Sequence, residues 1–88
     1  MRAKLLFTSE THGDLDDAYA WYEKQRAGLG SEFLESVAAC IDRVLDAPEL
    51  HAILEGDYRR ALVHRFPYFV IYEFDGRYVT VYAVLHTS

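Results

Sequence analysis

The hydrophobic and polar positions from Tyr58 to His86 alternate in three short runs, the pattern of β-strands that are covered on one face. Asp75-Gly76 separates the last two runs and favours a type I′ hairpin turn, whose two central residues need a positive φ. One face is apolar and is predicted to meet the rest of the protein: Val70, Tyr72, Val79, Val81, Ala83 and Leu85. The other face is predicted to be open: Phe69, Ile71, Glu73, Tyr78, Thr80, Tyr82 and His86.

Two turns determine how these strands pair. Asp75-Gly76 predicts a two-residue loop, and Phe66-Pro67 predicts the turn before it, since proline cannot donate to a central ladder. The expected opposite pairs are Phe74–Arg77, Glu73–Tyr78, Ile71–Thr80, Phe69–Tyr82, Arg60–Glu73 and His64–Phe69. A bulge at Pro67 would shift the first register by one residue and turn Arg65 to the open face.

The first half of the chain has mainly helical periodicity. Residues 4–8 form an apolar run that predicts a first strand, and Thr11–Arg26 and Ser31–Ala47 then predict two helices. Thr11 and Ser31 are the expected N-caps, and residues 48–57 are expected to be a connecting loop. The expected apolar stripes are Leu15, Ala18, Tyr19 and Tyr22 on the first helix, and Leu34, Val37, Ala38, Ile41 and Leu45 on the second.

The order of elements predicts the fold class. It is β-α-α-β-β-β, an α+β domain in which a helical hairpin packs on one face of a small, mostly antiparallel sheet. Residues 1–88 are expected to form this single domain, because 88 residues are too few for two stable cores. Such a sheet leaves its other face to water or to a ligand.

The open face is a candidate binding surface. Phe69, Tyr78 and Tyr82 form an aromatic patch there, and contiguous exposed aromatics often mark an interaction site. Arg60, Glu73 and His86 are expected around it. The alternative is that the aromatics only cover the sheet. Tyr19, Trp21 and Tyr22 on the first helix are interpreted as core and groove residues.

Charge and composition exclude several classes of protein. The net charge is −5, made of −7 in residues 1–57 and +2 in residues 58–88, which is too little positive charge for a typical nucleic-acid groove. The four histidines lack metal-ligand spacing and there is one cysteine, Cys40, so we expect no metal site and no cofactor. We expect Cys40 to be a buried packing residue and the chain to be cytoplasmic, with no membrane partner.

The sequence resembles the RelE/ParE toxin superfamily of bacterial type II toxin–antitoxin modules, and most closely its ParE or plasmid-stabilisation branch. The resemblance covers nearly the whole chain. It rests on the element order and on Asp17-Ala18 to Tyr22, Arg59-Arg60, Phe66-Pro67-Tyr68-Phe69-Val70-Ile71-Tyr72 and Val84-Leu85-His86. Relatives usually continue several residues beyond the position of His86.

The resemblance implies a toxin that a cognate antitoxin neutralises in a hetero-oligomer. ParE-like members poison DNA gyrase by binding, whereas RelE- and YoeB-like members cleave mRNA on the ribosome. The cleaving branch has an arginine where this chain has Phe69, and a tyrosine where it has Thr87. His86 matches that branch's histidine, and Glu49 lies near the place of its general base.

Three functions remain open on this resemblance. The favoured one is a gyrase-binding toxin that uses the open face. The second is a ribosome-dependent endoribonuclease, whose candidate catalytic residues are His86, Arg60, Arg65 and Glu49. The third is a non-toxic member that still binds an antitoxin. The expected target or partner contacts are Phe69, Tyr78, Tyr82, Arg60, Glu73, Tyr19 and Tyr22.

Overall fold

Two antiparallel helices cover one face of a five-stranded sheet in the computed structural model, which describes residues 2–88. The elements are β1 Lys4–Phe7, α1 Ser9–Gln25, α2 Leu29–Asp46, β2 Ala52–Glu55, β3 Tyr58–Leu62, β4 Tyr68–Phe74 and β5 Tyr78–His86. The strand order is β1-β5-β4-β3-β2, with β1 parallel to β5 and the other pairs antiparallel. The predicted fold class is confirmed.

Strand β2 lies within the segment that was predicted to be a loop. Its four residues are all exposed, so they show no alternation of buried and exposed positions that a sequence could reveal. It is nevertheless held as an edge strand against β3, where Ala52 pairs with Arg60 and Ile53 with Arg59. The predicted loop at 48–57 was therefore wrong over these residues.

The β4–β5 connection is longer than predicted. The Asp75 carboxylate accepts hydrogen bonds from the backbone N–H groups of Arg77 at 2.9 Å and Tyr78 at 2.7 Å, which closes the loop of residues 75–77. Phe74 therefore lies opposite Val79, not Arg77. The shift is two residues, so it changes the partners and keeps the faces.

A β-bulge in β5 does change the faces. Tyr72 pairs with Val81 but Ile71 pairs with Ala83, so Tyr82 is the extra residue. Beyond the bulge the alternation is reversed, and Val84 is buried while Leu85 is 50% exposed. The predictions that Ala83 and Leu85 face the helices and that His86 lies on the open face were wrong.

The β3–β4 connection is also longer than the predicted two-residue turn. Strand β3 ends at Leu62, which lies opposite Phe69 in the place predicted for His64. Arg60 lies opposite Ile71, and Glu73 lies opposite Tyr58. The predicted Arg60–Glu73 pair was wrong in register, but the shift is again two residues and both side chains share a face.

The helix caps differ from the predicted ones. Helix α1 begins earlier because the Thr8 hydroxyl accepts a hydrogen bond from the backbone N–H of Thr11 at 3.2 Å. Thr11 is instead buried, and its hydroxyl donates to the Val81 carbonyl at 2.8 Å. Ser31 does not cap α2, whose first turn lies against the carboxylate of Glu23 from α1.

The core lies between α2 and the covered face of the sheet. Its fully buried side chains include Phe33, Cys40, Val44, Val70, Tyr72, Val79 and Val81. The prediction of a buried Cys40 is confirmed, but Leu34 and Ala38 of the predicted stripe are exposed. The Tyr72 hydroxyl donates to the Pro48 carbonyl at 2.7 Å, and burial raises the pKa of Tyr72 to about 12.

Candidate binding surface

The face of the sheet opposite the helices is uncovered by any other element of residues 2–88. We call it the open sheet face, formed by Leu6, Tyr58, Arg60, Leu62, Phe69, Ile71, Glu73, Tyr78, Thr80, Tyr82 and Leu85. Leu6, Leu62 and Leu85 on it are each about half exposed, at 48%, 53% and 50%. An apolar, aromatic surface of this kind is characteristic of an interaction site.

Arg60 and Phe69 form the middle of the open sheet face. The guanidinium carbon of Arg60 lies 4.9 Å from the centre of the Phe69 ring, a cation–π arrangement. Leu62 and Leu85 are the cross-strand neighbours of Phe69 on either side. The result is an apolar centre with one positive charge held over it.

A second cluster on the same face involves Tyr82, the extra residue of the bulge. Its hydroxyl donates to Oε1 of Glu73 at 3.2 Å, and its ring meets that of Tyr58 edge to face at 5.4 Å. The hydrogen bond to Glu73 raises the pKa of Tyr82 above its ordinary value. Tyr82 and Glu73 thus share the open face, as alternation predicted, and the hydrogen bond joins them diagonally across β4 and β5.

The structure brings Phe69, Tyr78, Tyr82, Arg60 and Glu73 to one face, as the alternation predicted. Their role as a target surface stays a prediction. Tyr19 is 36% exposed on α1. Tyr22 is mainly a core residue, 9% exposed and stacked on Phe33 at 5.3 Å, and burial raises its pKa. It offers a partner little surface.

His86 lies on the helix side of the sheet. Its ring meets Tyr68 edge to face at 5.2 Å, and its Nδ1 accepts a hydrogen bond from the backbone N–H of Ser88 at 3.1 Å. It borders a cleft with Trp21, Tyr22, Pro67 and Tyr68. His86 is thus separated by the sheet from Arg60 on the open face.

Arg65 is also turned away from the open face. Its backbone has a φ of 74° in the β3–β4 loop, and its guanidinium pairs with Glu32 of α2 at 2.8 Å. Arg26 pairs with the same carboxylate at 2.9 Å. The hydrogen bond from Arg65, then that from Arg26, lowers the pKa of Glu32. The suggested outward turn of Arg65 is therefore wrong.

Glu49 lies in the loop between α2 and β2, away from both His86 and Arg65. Its backbone carbonyl accepts a hydrogen bond from Arg59 at 3.2 Å, and it borders a pocket of about 280 Å³ with Ile53, Asp57 and Phe74. Arg59, which is part of the Arg59-Arg60 motif, also donates to the His51 carbonyl at 2.8 Å and holds this loop to β3. The four candidate nuclease residues are therefore not gathered into one site.

Two general features bear on the class of site. Within residues 2–88 no group of three or more His, Cys, Asp or Glu side chains is placed to hold a metal ion. In the same part of the chain, neither helix is both long and apolar enough to span a membrane.

Comparison with known proteins defines the class of protein. A family model described as the ParE toxin of the type II toxin–antitoxin system parDE matches residues 5–88. The chain belongs to this ParE toxin family. Among curated protein sequences, none matches it significantly.

Solved structures with the same fold come from toxin–antitoxin systems. A chain of the chromosomal ParDE system of P. aeruginosa superimposes with a TM-score of 0.86 at 13% identity, covering 99% of this chain and 98% of that one. A chain of the E. coli DinJ–YafQ toxin–antitoxin complex gives 0.72 at 10% identity, covering 98% and 93%. A histidine-to-glutamine mutant of E. coli YafQ gives 0.60 at 16% identity, covering 97% and 93%.

Proposed function

We propose that this chain is the toxin of a type II toxin–antitoxin pair, that a cognate antitoxin neutralises it in the cytoplasm, and that it acts by binding DNA gyrase through the open sheet face. Membership of the ParE toxin family supports the first part. The antitoxin partner is supported by the DinJ–YafQ complex among the structures that share the fold.

One observation favours action by binding over bond cleavage. Two contacting pairs lie on one face: Arg60 and Phe69, joined by the cation–π contact, and Tyr82 and Glu73, joined by a hydrogen bond. General acid–base cleavage needs its groups within hydrogen-bond reach of one reacting centre. His86 and Arg60 lie on opposite sides of the sheet. The guanidinium of Arg65, the alternative partner of His86, is paired with Glu32 at 2.8 Å.

We propose two kinds of docking site for the antitoxin. Strand β2 is an edge of the sheet in which Ile53 is 62% and Leu54 48% exposed, so it can accept an added strand. The helical hairpin offers a helix-binding surface. Because residues 1–57 carry a net charge of −7, a basic antitoxin segment is favoured.

Ribosome-dependent mRNA cleavage is the second candidate. His86 supports it, because its side chain is exposed at the end of β5 where a substrate could reach it. If this candidate is right, His86→Ala abolishes toxicity and the wild-type chain fragments mRNA during translation. Under the favoured proposal, His86→Ala stays toxic.

Controlled expression in bacteria tests the proposal. Induction of the chain alone should stop growth, and co-expression of the small gene beside it should restore growth. If induction is harmless, the toxin proposal fails and the non-toxic, antitoxin-binding alternative is favoured, provided that the neighbouring protein still co-purifies with this chain.

A further inference from the structure

An aromatic cleft lies between α1 and the end of β5, on the opposite side of the sheet from the open face. It has a volume of about 390 Å³ and is lined by Trp21, Tyr22, Pro67, Tyr68 and His86. Trp21 is 57% exposed there, an unusually large apolar surface to leave in water. The proposed target surface makes no use of this cleft.

The rings of the aromatic cleft meet at steep angles. The ring centroids of Trp21 and Tyr22 are 5.0 Å apart with an interplanar angle of 85°. Those of Tyr68 and His86 are 5.2 Å apart with an angle of 79°. Tyr22 and Tyr68 connect the two pairs at 6.2 Å. Aromatic faces carry partial negative charge, so a ring face that is open to the cleft attracts a cation.

Two carboxylates lie on the side of α1 that carries Trp21. Asp14 and Asp17 precede Trp21 by seven and four positions and therefore lie on its side of α1. The Asp14 carboxylate accepts a hydrogen bond from the backbone N–H of Val84 at 3.0 Å, two residues before His86. Both charges oppose the entry of a phosphate, so a nucleobase with its backbone is a poorer occupant than a cationic side chain.

We infer that the aromatic cleft receives an arginine side chain from an extended segment of a partner protein. The guanidinium is planar, stacks on aromatic faces and pairs with carboxylates, which suits ring walls with Asp14 and Asp17 beside them. The inference rests on the proposed function, because the segment would belong to the antitoxin. It specifies where on this chain a basic antitoxin segment would bind.

The cleft contains its own reporter, since Trp21 is the only tryptophan of the chain. The full chain is titrated with the peptide acetyl-Gly-Leu-Arg-Leu-Gly-amide while Trp21 fluorescence is recorded. The control peptide replaces arginine by citrulline, which keeps the shape and removes the charge. We expect the arginine peptide to change Trp21 fluorescence in a saturable way and the citrulline peptide to bind at least about tenfold more weakly. Added salt should weaken the binding of the arginine peptide.

Two neighbouring aspartates give a matched pair of variants. Asp17 lies on the Trp21 side of α1, whereas Asp16 lies one position, about 100°, away on the helix surface; both are exposed. Asp17→Asn should weaken the arginine peptide about threefold, the size expected of a partly screened charge pair. Asp16→Asn removes the same charge and should leave the affinity unchanged.

Three outcomes would overturn the inference: equal binding of the arginine and citrulline peptides, equal effects of the two aspartate variants, or quenching by hexaadenylate but not by the arginine peptide. The last would assign the cleft to a nucleobase. If the titration fails while the antitoxin still rescues growth, only this inference falls. If rescue fails, the proposed function falls whatever the titration gives.

Discussion

The carboxylate of Glu23 on α1 accepts a hydrogen bond from the backbone N–H of Gly30 on α2 at 2.8 Å. The same carboxylate also accepts from the N–H groups of Gly28 at 3.1 Å and Ser31 at 3.4 Å. The first turn of a helix has unpaired N–H groups and a partial positive charge, and a carboxylate satisfies both. One side chain thus caps α2 and fixes the helical hairpin.

Replacing Glu23 by Ala should therefore destabilise the protein by about 1–2 kcal/mol, the usual cost of losing a helix cap. Urea unfolding followed by circular dichroism measures this. Glu35→Ala, an exposed site in α2, is the control and should change the free energy of unfolding by less than about 0.5 kcal/mol. Equal effects of the two variants would show that Glu23 is not a cap.

Gly30 allows the close approach of the two helices. A Cβ at this position would lie 2.7 Å from the Tyr19 carbonyl oxygen and from the Glu23 side chain. Gly30→Ala should destabilise the fold by about 1–3 kcal/mol, because backbone must move. At Gly13, a helical site with nothing within 4 Å of an added Cβ, the same change should stabilise by about 0.5–1 kcal/mol. Effects of the same sign in a urea melt would contradict this account.

Tyr72 gives a prediction for alkaline pH. Its folded pKa of about 12 exceeds the ordinary 10.0, so the folded state retains a proton that the unfolded chain loses first. This contribution to stability is complete below pH 10 and disappears as the pH rises towards 12. In urea melts, Tyr72→Phe should reduce the fall in stability between pH 10 and 12. If the fall is unchanged in the variant, another group than Tyr72 causes it. At neutral pH the variant should cost about 1 kcal/mol, because the part-buried Pro48 carbonyl loses its donor.

The open sheet face can be separated from the rest of the fold by mutation. Arg60→Ala should weaken target binding about tenfold, as expected for an arginine in the centre of an interface. Because Arg60 is exposed and the substitution removes its cation–π contact with Phe69, the free energy of unfolding should fall by no more than about 1 kcal/mol. Lys24→Ala, an exposed site at the end of α1, serves as the control and should bind normally. Full toxicity of Arg60→Ala in growth assays would exclude this face as the target surface.

Most of the fold could be predicted from the sequence, because periodicity reports directly which side chains are buried. The buried positions Val70, Tyr72, Val79 and Val81 all followed from alternation. The two predicted turns were too short, but each error shifted the strand register by two residues, which preserves the faces.

The failures lay where long-range contacts override the local pattern. The bulge at Tyr82 leaves no mark in the alternation before it, yet it moves His86 across the sheet. The capping of α2 by Glu23 depends on how two helices meet. Arg65 is drawn to Glu32, 33 positions away, and no spacing rule connects them.

The most direct test of the central claim is a gyrase cleavage assay with purified components. The chain is added to DNA gyrase and supercoiled plasmid, and stalled cleavage is detected as linear DNA after the enzyme is denatured. The account predicts linear DNA with the wild-type chain and with His86→Ala, and much less with Arg60→Ala. No linear DNA at saturating wild-type chain would contradict gyrase as the target, and loss of activity in His86→Ala alone would contradict action through the open sheet face.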